Sequence, residues 1–205
     1  MTIALCFILA YLIGSIPSGV WVGQGLFHKD IRTAGSHNIG TTNAYCVLGP
    51  VGGTLVLAMD ILKGTLGASL PILFGLPQHW LVLIVGLAAV LGHTCSILIG
   101  FKGGKAVATS AGICLAYNPP FFLFCCAVFI SLVYLTSMVS VASTVGMGIV
   151  TVASLFLNDW LLTLVALGIW VLFLVRHKDN IKRIKAGTEN MVPFGFGYRR
   201  RQNRH

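Results

Sequence analysis

Acidic side chains are almost missing from this sequence: 5 Asp and Glu stand against 14 Lys and Arg in 205 residues, and charged residues of both signs make up only 9%. Soluble domains carry roughly 25%. With 56% apolar residues and a mean hydropathy of +0.88, that scarcity excludes an ordinary soluble fold. Several chemical signatures are missing too. Cys6, Cys46, Cys95, Cys114, Cys125 and Cys126 show no C-x-x-C spacing, and most lie in apolar runs where cysteine serves as a small buried hydrophobe, so neither disulfides nor a metal site is expected. The first apolar segment lacks the basic flank and small-residue cleavage site of a signal peptide and reads as a retained span. There is no G-x-S-x-G elbow, no evident Ser, His and Asp set, and no internal repeat of the kind that marks the two halves of a transporter.

What is present is a series of apolar runs, near residues 3 to 26, 51 to 74, 80 to 99, 106 to 118, 120 to 135, 138 to 157 and 160 to 175. They predict an all-α polytopic membrane protein with seven transmembrane helices, forming one integral membrane domain over 1–205 with a basic tail from about 176. Lys and Arg favour cytoplasmic segments. Here they fall in three places: Lys29 and Arg32; Lys102 and Lys105; and Arg176, Lys178, Lys182, Arg183, Lys185, Arg199, Arg200, Arg201 and Arg204. Only Lys63 lies elsewhere. Two runs separate the first basic segment from the second and four separate the second from the third, so all three share a face when the runs count as seven. The fourth run is then a short or tilted helix ending at Asn118-Pro119-Pro120, with the amino terminus outside and the carboxyl terminus cytoplasmic. The formal charge of +9 comes without aromatic and basic interleaving, which points to anionic lipid or a phosphorylated substrate and away from nucleic acid.

Three polar segments interrupt the apolar background. Asp30 to Asn43 is crowded with hydroxyls, amides and glycines, a composition that suits an oxyanion because glycine lets backbone N–H groups turn toward it while Ser, Thr and Asn add donors. Gly100-Phe101-Lys102-Gly103-Gly104-Lys105 stands at a helix start, where anions are attracted, although its spacing is not that of a Walker A loop. Arg176 to Glu189 brings His177, Asn180 and Glu189 to the same face; alone, it reads as a juxtamembrane basic helix. Asp60 and Lys63, three apart on one helix face, read either as a mutually neutralising pair or as a substrate contact. His93 reads as an interior histidine or as a neighbour of the glycine and lysine loop. Ser137 and Ser140 read as hydroxyl donors or as helix-packing serines.

Taken together, Gly14-Ser15-Ile16-Pro17-Ser18-Gly19, the Gly-Ser-His-Asn-Ile-Gly-Thr-Thr-Asn loop, Gly92-His93 followed by Phe101-Lys102-Gly103-Gly104-Lys105, and His177 with Asn180-Ile181 to Gly187-Thr188-Glu189 closely resemble the bacterial PlsY family, over essentially the whole chain. The resemblance implies a seven-helix enzyme of the bacterial inner membrane, with its active site on the cytoplasmic face and no cofactor. It would move a fatty acyl group from acyl phosphate to the 1-hydroxyl of glycerol 3-phosphate, giving lysophosphatidic acid and phosphate. It assigns Ser36, Asn38, Thr41 and Asn43 to a first motif, His93, Gly103, Gly104 and Lys105 to a second, and His177, Asn180 and Glu189 to a third, with Ser140 matching less securely. Two positions depart from the family's pattern: Cys46 stands where a phosphate-binding arginine is expected, and Ala106 where a glycine usually follows Gly-Gly-Lys. A neutral thiol does not replace a bidentate guanidinium, so Arg32 or Lys102 would have to supply that charge, or phosphate binding is weaker.

An acyl phosphate already carries a good leaving group, so direct transfer needs mainly alignment and charge stabilisation. In the implied mechanism Lys105, Ser36 and the glycine amides hold one phosphate, while Asn180, His177 and the first loop hold the other. The hydroxyl proton passes to a phosphate oxygen, or to His177 or His93 as a general base. The rival from another class is a small phosphate or anion transporter.

Overall fold

The computed structural model describes residues 1–202; Arg204, counted above with the tail, lies outside the described residues. Every regular element among the described residues is helical, and the chain divides into two compact units, Met1–Pro119 and the residues from Pro120 onward.

The first unit holds α1 (Thr2–Gly14), α2 (Ser18–Phe27), α3 (Thr41–Leu73), α4 (Leu81–Thr94) and α5 (Val107–Tyr117). The run expected to be the first span is two helices bent by 42°. Pro17 explains the break: it has no N–H to donate, and its ring drives Ile16 out of helical geometry. The segment from 41 to 46, expected to be part of a polar loop, is instead the start of α3. That helix is two pieces joined at Gly49, whose φ of 78° no helical residue adopts, and Pro50 restarts the helix with a φ already set for it.

Small residues let the helices of this unit approach at backbone distance, the usual basis of packing where lipid removes the hydrophobic drive between helices. A Cβ on Gly64 would strike the Thr109 carbonyl, and one on Gly112 would strike the Ile61 carbonyl, so α3 and α5 touch backbone to backbone. Thr65 Oγ1 crosses the same seam to the Gly112 carbonyl at 3.0 Å. The α2–α3 connection is not loose: Ile31 and Ile39 are buried beside Val20, Val22, Ala44 and Leu48. Burying side chains of this size is worth about 1.5 to 3 kcal/mol each relative to water.

The second unit holds α6 (Pro119–Thr136, whose first residue closes the first unit), α7 (Val139–Ser154), α8 (Trp160–Arg176), α9 (Lys178–Lys185) and α10 (Phe196–Gln202). Asp159 caps α8 by accepting from the Leu162 N–H at 2.9 Å, and Trp170 Nε1 donates across to the Thr144 carbonyl on α7 at 2.8 Å. At His177 the backbone leaves helical geometry and α9 turns off α8 by 61°, where the sequence passes from apolar to basic.

Among the described residues four helices are long and apolar enough to cross a membrane, and six crossings result if each bent pair is one span. Helix α5, the fourth run, has 11 residues and so measures about 16 Å, half the thickness of a hydrocarbon core.

Candidate active site

The first polar loop is folded by one side chain. Asn43, buried in the first turn of α3, donates from Nδ2 to the carbonyls of Ile31 at 2.7 Å, Asn38 at 2.8 Å and Ala34 at 3.2 Å, while its Oδ1 accepts the Ser36 N–H at 2.8 Å. Both ends of its amide therefore organise loop backbone, which makes Asn43 a scaffold for its neighbours. Asn38 makes a local turn by accepting the Gly40 N–H at 2.9 Å. Ser36 is left exposed on the loop, and Thr41 opens α3 with a buried Oγ1 that has no protein hydrogen-bond partner. The exposed Ser36 hydroxyl and the N-terminus of α3 together offer donors to an anion, while the Ser36 and Gly40 N–H groups are spent on folding the loop.

Arg32 is committed differently from the sequence expectation. Its guanidinium grips Asp30 in a fork, Nη2 at 2.6 Å and Nε at 2.9 Å, and Gln24 adds a third donor at 3.2 Å. The hydrogen bond from the Arg32 side chain is the main reason the Asp30 carboxyl is pulled down to about 2, and Asp30 in turn raises Arg32. Cys46 is exposed in the second turn of α3, and Lys102 is exposed in the second loop.

The second loop rests on His93. The Gly103 N–H donates to the Thr94 carbonyl at 3.2 Å and the Gly104 N–H to the His93 carbonyl at 3.0 Å. A Cβ on Gly104 would strike His93 Nε2, so the glycine lies directly on the imidazole and sets the path of the backbone into half-buried Lys105. Ala106 follows at φ 59°, ψ 17°, a left-handed conformation that costs an alanine about 1 to 2 kcal/mol; the geometry gives the physical reason a glycine suits this position. On the far side of the ring, His93 Nδ1 lies 3.2 Å from Thr109 Oγ1 and 3.7 Å from Asp60 Oδ1. Asp60 and Lys63 do form a pair, at 2.6 Å, with side chains 3% and 5% exposed.

In the second unit a separate cluster forms around Glu189. Its Oε1 accepts from Ser140 Oγ at 2.7 Å and Asn180 Nδ2 at 2.6 Å, and its Oε2 accepts from Arg183 Nε at 2.8 Å. Burial pushes the Glu189 carboxyl up, but the hydrogen bonds from Asn180, Ser140 and Arg183, with the Arg183 charge, outweigh it and hold the group below the ordinary carboxylate range. An anion with both oxygens engaged orders donors; it does not itself attract phosphate. His177, 3% exposed, has Nδ1 at 2.8 Å from the Phe173 carbonyl, which as donor to that carbonyl leaves the neutral ring's lone pair on Nε2. Ser137 is not a site hydroxyl: it donates to the Phe194 carbonyl at 2.6 Å, accepts the Tyr198 N–H at 2.9 Å, and so latches the chain after Glu189 to the α6–α7 turn.

Sequence reasoning thus named most of the polar residues but missed Thr109 and Ser18 beside the ion pair and Arg183 beside Glu189. Thr109 and Ser18 look like ordinary small helix residues, and Arg183 is one basic residue among many. Only the fold singles them out.

Polar loops at helix N-termini of an all-helical, apolar chain, with donors and lysine but a carboxylate used for internal ordering, define a membrane protein built to handle a phosphorylated molecule. The comparisons carry this further. The family model described as glycerol-3-phosphate acyltransferase matches residues 4–187. A glycerol-3-phosphate acyltransferase of Lacticaseibacillus casei (strain BL23) is 69% identical over 204 residues, covering 100% of this chain and 99% of the relative. That of Latilactobacillus sakei subsp. sakei (strain 23K) is 58% identical with the same coverage. The crystal structure of PlsY (YgiH), an integral membrane glycerol 3-phosphate acyltransferase, in its glycerol 3-phosphate form superposes with a TM-score of 0.86 at 34% identity, covering 94% of this chain and 96% of that one. Its lysophosphatidic acid form gives 0.84 at 32% identity, covering 93% and 95%. The chain belongs to the glycerol-3-phosphate acyltransferase family, the PlsY enzymes.

The Glu189 cluster has a defined pH signature. Because the folded-state carboxyl lies below its ordinary value of 4.5, its contribution to stability is complete above that pH and is lost as pH falls through the lowered value. Glu189→Gln should lower stability at pH 7 by on the order of 2 to 3 kcal/mol and abolish this acid-dependent loss. Melting of the detergent-solubilised protein between pH 7 and pH 3 measures both; an unchanged acid limb in the variant contradicts the assignment.

Proposed function

We propose that this enzyme transfers a fatty acyl group from acyl phosphate to the 1-hydroxyl of glycerol 3-phosphate, releasing phosphate and 1-acylglycerol 3-phosphate, as the first acylation step of phospholipid biosynthesis. The observation that carries the reading is the pair of donor loops in the first unit, the Asn43-organised loop leading into α3 and the His93-supported Gly103-Gly104-Lys105 turn leading into α5. Two phosphate groups enter the reaction, one on each substrate, and both loops are of the kind that holds one.

In the reaction the hydroxyl oxygen forms a bond to the acyl carbonyl carbon, the bond from that carbon to the phosphate oxygen breaks, and the hydroxyl proton passes to a phosphate oxygen. Lys105 and the Ser36 hydroxyl supply donors to phosphate and stabilise the charge gathering on it, while the Gly103 and Gly104 N–H groups, spent on the Thr94 and His93 carbonyls, set the path of the loop and do not meet phosphate themselves. In the first unit Asn43 fixes Ser36; in the second, Asn180 and His177 are proposed as further polar groups of the reaction, with Glu189 fixing Asn180. His93, with Gly104 lying on its ring, props the loop in place of acting as a base. The acyl chain stays among apolar helices while phosphate meets a basic, cytoplasmic face, in a seven-span arrangement where α5 is the short crossing. Membership in the acyltransferase family leaves the transporter reading without support.

Purified protein given acyl phosphate and glycerol 3-phosphate should form lysophosphatidic acid and phosphate in equal amounts, and should do so at least tenfold more slowly with acyl-CoA or acyl carrier protein thioesters. Turnover with a thioester alone contradicts the donor assignment. Because Cys46 is exposed on α3, Cys46→Arg should be accommodated and should lower the KM for a phosphate substrate severalfold; an unchanged or raised KM shows that this position does not meet phosphate.

A further inference from the structure

We propose that Asp60 and Lys63 are positioning residues for acyl transfer, a buried brace that holds both donor loops of the first unit at once. The proposal rests on reading those loops as the phosphate-binding elements. A neutralising pair needs only its two members, yet this one reaches out in both directions. Lys63 Nζ, 2.6 Å from Asp60 Oδ1, also donates to the Ile16 carbonyl at 2.8 Å and to Ser18 Oγ at 3.4 Å. Ile16 is the residue that Pro17 forces out of the helix, so its carbonyl has lost its helical partner and accepts instead from the Ser18 N–H at 3.0 Å and from the ammonium.

From there the contact runs to the first loop. Gly19, next to Ser18, is pressed so closely on Ile39 that a Cβ would strike the Ile39 carbonyl, and the same Cβ would lie 2.5 Å from Ile31 Cδ1. Ile31 and Ile39 flank the segment that Asn43 folds and that presents Ser36. The start of α2 therefore fixes where this loop stands, and Lys63 fixes the start of α2.

In the other direction Asp60 Oδ1 faces His93 Nδ1 at 3.7 Å, and Thr109 Oγ1, at 3.2 Å from the same nitrogen, completes the seat of the ring. The opposite edge of the ring carries Gly104, and Lys105 follows. A shift of the imidazole moves the glycine lying on it and with it the lysine. Misplacement of donors by about 1 Å is enough to lose on the order of a hundredfold in rate. The pair thus acts through Ser18 and Gly19 on one loop and through His93 on the other, without touching substrate.

The test separates positioning from plain stability. The double variant Asp60→Asn/Lys63→Met removes both charges together, leaving no lone buried ion. Expected are a melting temperature within a few degrees of the parent, a KM for glycerol 3-phosphate raised about tenfold, and a kcat changed less. Lys63→Arg, which keeps a cation for Ile16 and Asp60, should recover most of the loss. Thr109→Val, isosteric and able to fold where the double variant fails, should raise KM severalfold. Thr65→Val cuts an α3–α5 hydrogen bond outside the brace and should lower the melting temperature without moving KM. Parental KM in the double variant or in Thr109→Val overturns the proposal, as does an equal KM shift in Thr65→Val. KM for glycerol 3-phosphate is read with whichever donor supports turnover, acyl phosphate or thioester, so failure of the donor assignment leaves this outcome readable.

Discussion

A polar group placed among apolar helices must find its partner inside the protein, because lipid offers none. That constraint is felt most sharply at Asp60 and Lys63, two ions on consecutive turns of one helix. Their charges neutralise each other at 2.6 Å, but an ammonium has three donors and a carboxylate two oxygens, so further groups are drawn in. Lys63 collects the carbonyl that Pro17 releases, and Asp60 collects the imidazole of His93. The bend that Pro17 makes and the loop that His93 supports are thereby tied to one buried pair.

The same economy recurs in the second unit, where Glu189 gathers Ser140, Asn180 and Arg183. In both units the acid is spent on arranging the side chains around it. This use of the acid fits a reaction whose chemistry lies in the substrate. In the proposed reaction the acyl phosphate is already activated, so aligning it with a hydroxyl calls for rigid donors more than for a nucleophile.

Much of this was legible in the sequence. Polar segments stand out against an apolar background, so the three polar segments and the Asp60–Lys63 pairing could be read from composition and spacing, whereas the roles of Lys105 and His177 came from the family resemblance and belong to the proposal. The shortness of the fourth run was legible from its length alone, and α5 has 11 residues. Less visible was anything decided by backbone geometry: the break at Pro17 inside an apolar run, and the start of α3 at Thr41, hidden because a helix restarted by Gly49-Pro50 looks like a loop followed by a span. Residue roles were also blurred. Asn43 and Glu189 have the chemistry of ligand-binding groups, and only their hydrogen bonds show them holding neighbours. The left-handed φ at Ala106 explains a departure that the sequence could only note.

In the proposed reaction Lys105 is the cation that meets substrate phosphate, on a loop whose path His93 sets from behind. The measurement is steady-state acyl transfer by Lys105→Ala and Lys105→Arg, each checked for an unchanged melting temperature. Loss of a hundredfold or more in kcat/KM for the alanine variant, with partial recovery for arginine, is the predicted result. Parental kcat/KM in the folded alanine variant would contradict it and remove Lys105 from the phosphate site.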